Sequence, residues 1–327
     1  MSTIKTSAFV KKLASNNRVT REAAFESLQK YLATRSTSRK LSLLEYEKLW
    51  KGLYYTMWFS DRPRPQQRIA NLLASLFSET IPVDSFSMFV KAFWEIVAKE
   101  WPEIDQWRVD KFLMMMRYVI RECFKKLQDN EWNEELTEDY LNILSEGILS
   151  GDIKYPAGVV YHIIDVYIDE LERVVFGDQE EEDDEEEEEE DDDDDDESEE
   201  EESEEGKEKI DEKKQKKLQE IAEIIQEVPV MTLLGPFIRL RKEALSKPLK
   251  KKIVEEIFED ERLAKWGIEN PDIAIQKELM KSRKQKPKKV EEDNEDDEEE
   301  EDEDEEEDED EGEDEEDEEE EWTGFGN

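Results

Sequence analysis

Two runs of carboxylates constrain this chain more than any other feature. Residues 178–205 hold 25 Asp or Glu and residues 291–327 hold 29, with no Lys or Arg in either run. Like charges at that density repel one another and almost nothing apolar is available to bury, so neither run is predicted to collapse into a core. The net charge of -48 is therefore a property of the runs, and the rest of the chain carries about +6. Residues 1–177 are near neutral at -1, whereas residues 206–290 are basic at +7. The charge pattern predicts a helical domain over 1–177, an acidic disordered loop over 178–206, a basic helical extension over 207–290 and an acidic disordered tail over 291–327.

Several classes are excluded by the same reading. No window approaches the ~18 uncharged apolar residues of a membrane span. Lys5, Lys11 and Lys12 interrupt the segment 1–15, which lacks the apolar stretch of a secretory signal, so an intracellular protein is expected. One cysteine, Cys123, permits no intrachain disulfide, and with His162 as the only histidine a Cys/His zinc site cannot be assembled. No cofactor and no small-molecule substrate are expected.

Residues 1–177 contain 25 of the 30 aromatic residues, which places one good-sized core there. Apolar spacing between prolines 63, 65, 82, 102 and 156 predicts helices near 5–15, 20–35, 42–59, 64–79, 84–100, 105–128, 136–149 and 156–176. Thr20 is expected to cap the second of them. In 105–128, Val109, Phe112, Leu113, Met116, Ile120, Cys123, Phe124 and Leu127 fall on one arc, flanked by Arg117, Arg121 and Lys125. Helix pairs of roughly 30 to 45 residues with short joints are the footing of HEAT- or armadillo-type stacking, so the fold class expected is an all-α helical stack, an α-solenoid. Further helices are predicted over 207–227, 233–245, 248–265 and 272–282, docking on the first body or extending its stack.

Three segments carry a resemblance. Trp50 to Asp61 reads WKGLYYTMWFSD, Ile104 to Arg117 reads IDQWRVDKFLMMMR, and Pro156 to Leu171 reads PAGVVYHIIDVYIDEL. In this order and spacing they resemble the ribosomal RNA-processing protein 1 family of nucleolar large-subunit assembly factors, with a weaker continuation in LLGPFIRL at 233–240. The resemblance implies an all-helical, HEAT-like scaffold without catalytic activity, located in the nucleus and nucleolus. It also implies partners among large-subunit assembly factors, ribosomal proteins and precursor rRNA.

Candidate sites are read from the residues themselves. Arg62, Arg64 and Arg68 surround a Pro-x-Pro corner, and Arg117, Arg121 and Lys125 form a stripe at i, i+4, i+8. Either set suits phosphate oxygens of structured RNA, and either suits ion pairs with nearby acids such as Asp61 and Glu122. Lys213, Lys214, Lys216 and Lys217, and Lys250, Lys251 and Lys252, carry the same two readings. The aromatic motif Trp50, Tyr54, Tyr55, Trp58 and Phe59 has two readings: Trp50, Tyr54 and Trp58 share one helical face and are expected in the core, whereas an exposed part of the motif would be a protein anchor. His162 precedes Asp165 by one turn, but no nucleophile accompanies them and a packing role is expected. An EF-hand fitted on Gly312 puts Glu307, Glu309, Glu311 and Glu318 at ligand positions, without the short early ligands or flanking helices that such a loop needs. Lys281, Arg283, Lys284, Lys286, Lys288 and Lys289 form a candidate nuclear-import patch, and Ser198 and Ser203, each followed by Glu, are candidate phosphorylation sites.

The reading that joins these features is a non-catalytic scaffold of large ribosomal subunit biogenesis, needed for precursor rRNA processing in nucleolar preribosomes. Its rival is an acidic nuclear chaperone for histones or ribosomal proteins, which explains the acidic runs and leaves the aromatic motifs without a purpose. Deleting residues 180–204 is expected to leave the thermal unfolding transition nearly unchanged by circular dichroism, because that segment has almost nothing to bury. Loss of the cooperative transition would contradict this.

Overall fold

Prolines and short polar side chains set where the helices begin. The computed structural model describes residues 12, 13, 15, 17–38, 41–177 and 221–285, with the backbone alone over 35–38 and 279–285. Helix α1 (Arg18–Ser38) starts after Asn17, whose carboxamide oxygen accepts the Thr20 amide at 3.2 Å. Thr20, expected as the cap, thus lies inside the helix, because Asn17 already serves its first turn. Helix α2 (Leu43–Trp58) opens on a capping box in which Ser42 accepts the Glu45 amide at 3.4 Å and the Glu45 carboxylate accepts the Ser42 amide at 2.9 Å. Helix α3 (Pro63–Ser75) has proline at its first position, where the missing N–H has no partner to lose, and a π-helical turn (Leu76–Thr80) continues it.

Helices α4 (Val83–Glu100) and α7 (Ala157–Phe176) each follow a proline, and Asn133 caps α6 (Glu134–Glu146) by accepting the Leu136 amide at 3.1 Å. Helix α5 (Val109–Gln128) begins later than the expected 105, since the Asp105 carboxylate accepts the Trp107 amide at 3.1 Å and closes a turn instead. Beyond residue 221 come α8 (Val230–Leu233), α9 (Gly235–Glu243), α10 (Lys247–Ile253), α11 (Glu261–Lys265) and α12 (Pro271–Gln285). The helix expected over 248–265 is broken: a π-helical turn (Val254–Phe258) ends it, and Asp260 restarts the chain by accepting the Arg262 amide at 2.8 Å. The helix expected over 233–245 starts at Gly235 because Leu234 divides it from α8. Of the expected helix 5–15 only Lys12 and Leu13, which are helical, and Ser15, which is not, are described, and the stretch 207–220 lies outside the described residues.

Each long helix packs against the next but one, which is how an α-solenoid is built. One row runs α2, α4, α6, α9, and the other runs α3, α5, α7, α10. The rows continue after the acidic insertion, so α9 and α10 occupy the positions of a further helix pair. Every regular element among the described residues is helical. Aromatic side chains fill the seam from one end to the other. Trp50 lies 5.4 Å from Phe77, 5.0 Å from Phe89 and 4.9 Å from Phe93, measured between ring centroids. Tyr54 stacks on Phe112 at 4.3 Å, Phe124 meets Tyr167 at 4.9 Å, and Tyr167 meets Phe237 at 4.6 Å.

Two details join the last pair to the others. The buried Tyr167 hydroxyl donates to the Leu233 carbonyl at 2.7 Å, tying α7 to the end of α8. Gly151, with φ of 78°, lets the α6–α7 loop pass so close to α9 that a Cβ there would stand 3.1 Å from Leu240 Cδ1. Trp50 is 1% exposed and belongs to the aromatic cluster that joins α2, the first π-helical turn and α4. Trp50→Ala is therefore expected to lower the unfolding free energy by about 3 to 5 kcal/mol, as the cavity left by a large aromatic does, and urea denaturation checks it.

Candidate nucleic-acid interface

The corner between α2 and α3 is held from below by a buried cation. Lys111, on α5 and 5% exposed, donates from Nζ to the Trp58 carbonyl at 2.7 Å and the Ser60 carbonyl at 2.9 Å. Burial pushes the Lys111 ammonium below its ordinary range, with Asp61 opposing that shift and Arg108 adding to it. Gln66 Nε2 donates to the same Ser60 carbonyl at 2.9 Å. The chain leaving α2 is thus fixed by three donated hydrogen bonds, and the aromatic motif divides there: Trp50 and Tyr54 are buried, whereas Phe59 is 62% exposed. Arg108 stacks over Trp58, 4.7 Å from the ring centroid.

Above this corner lies a cleft of about 690 Å³ lined by Arg18 and Arg21 of α1 together with Phe59, Ser60, Arg62 and Arg68. Arg62, Arg64 and Arg68 are exposed, and no ion pair among the described residues engages them. Arg64 stands on the same first turn of α3, outside the cleft lining. Arg18 pairs with Glu22 at 2.6 Å, and Arg21 donates to the Ser15 carbonyl at 2.6 Å. The sequence pattern points to Arg62 and Arg68 but not to Arg18 and Arg21, which only the packing of α1 brings beside them.

The second predicted stripe is built differently. Glu170 of α7 is wholly buried, and its two carboxylate oxygens accept from Nε of Arg117 and Nε of Arg121. Arg117 also reaches Asp169 at 3.4 Å, and Asp169 continues to Arg262 at 2.9 Å. Arg262 in turn binds Glu172 at 2.9 Å and Asp260 at 2.6 Å. Burial works against the Arg262 charge, but its bonds to Asp260, Glu172 and Asp169 outweigh that and raise its pKa. Lys125, third in the stripe, lies 4.0 Å from Glu122. The acids paired with Arg117 and Arg121 come from α7, while Glu122, expected beside the stripe, meets only Lys125 of the three.

Other candidates fall as follows. The His162 ring bonds through Nε2 to the Leu113 carbonyl at 2.8 Å, while Asp165 pairs with Lys252 at 2.5 Å, so the expected histidine–acid neighbour pair is replaced by two separate contacts. Burial lowers the His162 pKa against the opposing effects of Leu113 and Asp165. Lys250, Lys251 and Lys252 lie on α10, where Lys251 pairs with Glu255 at 3.2 Å. Lys281, Arg283 and Lys284 fall on α12. Lys286, Lys288, Lys289, Ser198, Ser203, the Lys213–Lys217 cluster and the Gly312 loop lie outside the described residues. No group of three metal-ligating side chains and no helix long and apolar enough to cross a membrane occurs among the described residues.

A two-row helical stack with arginines gathered at one corner and others tied into its interior defines the class: an all-helical, solenoid-like protein with one arginine-rich corner. The chain belongs to the family described as nucleolar protein, Nop52, whose model matches residues 4–325. It is 37% identical over 168 residues to the mouse protein named ribosomal RNA processing protein 1 homolog B, covering 51% of this chain and 23% of that one. Mouse homolog A is 36% identical over 165 residues, covering 50% and 33%. The Caenorhabditis elegans homolog is 30% identical over 164 residues, covering 50% and 41%. The matched segment accounts for less than half the length of each of these relatives.

Glu170→Gln should destabilise the protein by about 3 kcal/mol, because Arg117 and Arg121 lose the anion that balances their partial burial. A urea midpoint equal to that of the unsubstituted protein would show that the carboxylate charge is not needed.

Proposed function

We propose that this protein is a non-catalytic scaffold in large ribosomal subunit biogenesis, acting in precursor rRNA processing within preribosomes of the nucleolus. The observation that carries the reading is the uninterrupted two-row stack, which offers one long surface on which several partners can be held at once. Membership of a nucleolar family and relatives named for ribosomal RNA processing support it. The partners proposed are other large-subunit assembly factors, ribosomal proteins and precursor rRNA. Neither a membrane nor a small-molecule substrate has a part in it. Arg62, Arg64 and Arg68 are proposed as the main RNA-facing set, since they project from the surface. Arg117 and Arg121 act first as internal ties, with 35% and 22% of their side chains left to meet a partner, and Lys125 beside them. In this reading the import patch at 281–289 carries the protein into the nucleus.

A second reading, an acidic nuclear chaperone for basic clients, is favoured by one observation, the 54 carboxylates of the two runs. Affinity purification under mild salt separates the two. The scaffold reading expects precursor rRNA and large-subunit assembly factors to be recovered. Recovery of free histones or free ribosomal proteins without precursor rRNA would replace it with the chaperone.

A further inference from the structure

We infer that the cleft at the α2–α3 corner binds a single-stranded RNA segment, holding one phosphate between Arg62, Arg68 and the open start of α3 while an adjoining base stacks on Phe59. This rests on the proposed function for the class of ligand, RNA, and for Arg62 and Arg68 as RNA-facing residues; the cleft, Ser60 and Phe59 come from the geometry. Four arginines line the cleft against one carboxylate, Asp61. A guanidinium presents a planar fork of donors that matches phosphate oxygens, which a lysine ammonium does not. Helix α3 opens toward this charge without a side-chain cap, and the positive end of its dipole adds to the attraction.

The second observation is independent of charge. Ser60 is 93% buried, lines the cleft, and its hydroxyl has no hydrogen-bond partner among the described residues. A buried hydroxyl left unsatisfied is costly, and a small shift of the lining that admits an anion oxygen to Ser60 removes that cost. Its position is fixed, because Lys111 and Gln66 hold the Ser60 carbonyl and Arg21 holds Ser15 across the cleft. The Ser60 backbone is therefore held before a ligand arrives, whereas the exposed guanidiniums of Arg62 and Arg68 order on the phosphate.

Phe59 selects the class of anion. It stands exposed in the cleft lining just past the end of α2, while Trp50 and Tyr54 within that helix are buried, so its ring is available to an incoming group. Unpaired bases offer flat faces to such a ring, whereas the bases of an A-form duplex are stacked on one another and unavailable. An acidic peptide satisfies the arginines and leaves Phe59 uncovered. The cleft also lies within the ~300 to 1,000 Å³ range of sites that enclose a ligand of about nucleotide size.

The test is fluorescence anisotropy of the full chain with a short labelled oligouridylate, a duplex RNA of equal length and an oligoglutamate peptide, at several salt concentrations. Phe59→Ala should weaken oligouridylate binding by about 5- to 140-fold, which is ~1 to 3 kcal/mol at 1.4 kcal/mol per tenfold. The double variant Arg62→Ala/Arg68→Ala should weaken it at least about tenfold and reduce the log–log salt slope by ~0.7, the value for the one phosphate of a single strand that is no longer neutralised. Lys48→Ala/Lys91→Ala removes the same charge from exposed positions on α2 and α4 and should change affinity less than about twofold. All three variants should keep the wild-type unfolding midpoint, since the side chains removed lie at the surface.

Equal losses for the arginine and lysine doubles, or wild-type affinity in Phe59→Ala, would overturn the site. Weakened oligoglutamate binding with unchanged RNA affinity would assign the cleft to acidic proteins and overturn it too. No measurable oligouridylate binding by the unsubstituted protein overturns the inference while leaving the scaffold reading intact, because a preribosome can recruit the chain through proteins alone.

Discussion

A carboxylate with no water around it fixes the register of this stack. Glu170 is fully buried, and an anion there persists only if cations reach it with good geometry. Arg117 and Arg121 do so because four residues along α5 return the chain to the same face, one guanidinium to each oxygen. Apolar faces tolerate small sliding movements, whereas two directed ion pairs on one carboxylate do not, so α5 and α7 are locked in one alignment. The lock extends through Asp169 to Arg262, Glu172 and Asp260, and separately from Asp165 to Lys252. The residues after the acidic insertion are thereby placed on those before it, and Tyr167 reinforces the joint through Leu233 and Phe237.

The same economy of charge shapes the surface. Lys111 is directed inward to carbonyl oxygens at the α2–α3 corner, where its ammonium substitutes for the amide donors that a helix end or turn would otherwise supply. With the corner so held, Phe59 and Arg62 face outward from a rigid support. Cations in this protein therefore serve two ends: Lys111, Arg117, Arg121 and Arg262 hold the stack together, and Arg62, Arg64 and Arg68 remain directed to the outside.

Much of this architecture was legible in the sequence, for identifiable physical reasons. Proline and Asn or Ser caps act locally, so most helices of the first 177 residues fell within a few positions of their expected bounds. The breaks at Asp105 and Asp260 were missed because a single carboxylate accepting an amide two residues on costs the pattern of apolar spacing almost nothing. The arginine stripe on α5 was visible, but its partner was not: Glu170 sits among Val166, Tyr167 and Leu171, and that apolar setting was the available signal that a buried acid needed cations from elsewhere. Arg18 and Arg21 carried no signal, since their meeting with Arg62 and Arg68 depends on how α1 packs against the turn after α3. The separation of Phe59 from Trp50 and Tyr54 depends likewise on where the chain leaves the helix.

Beside the proposed cleft, the same physics separates two kinds of RNA contact. A contact made by phosphates alone rests on charge, so salt weakens it steadily. A contact in which a phosphate and a stacked base are held together keeps its stacking share when the charge is screened. In the proposed site, selectivity for a single-stranded segment over generic RNA thus follows from setting a small number of arginines beside one exposed ring.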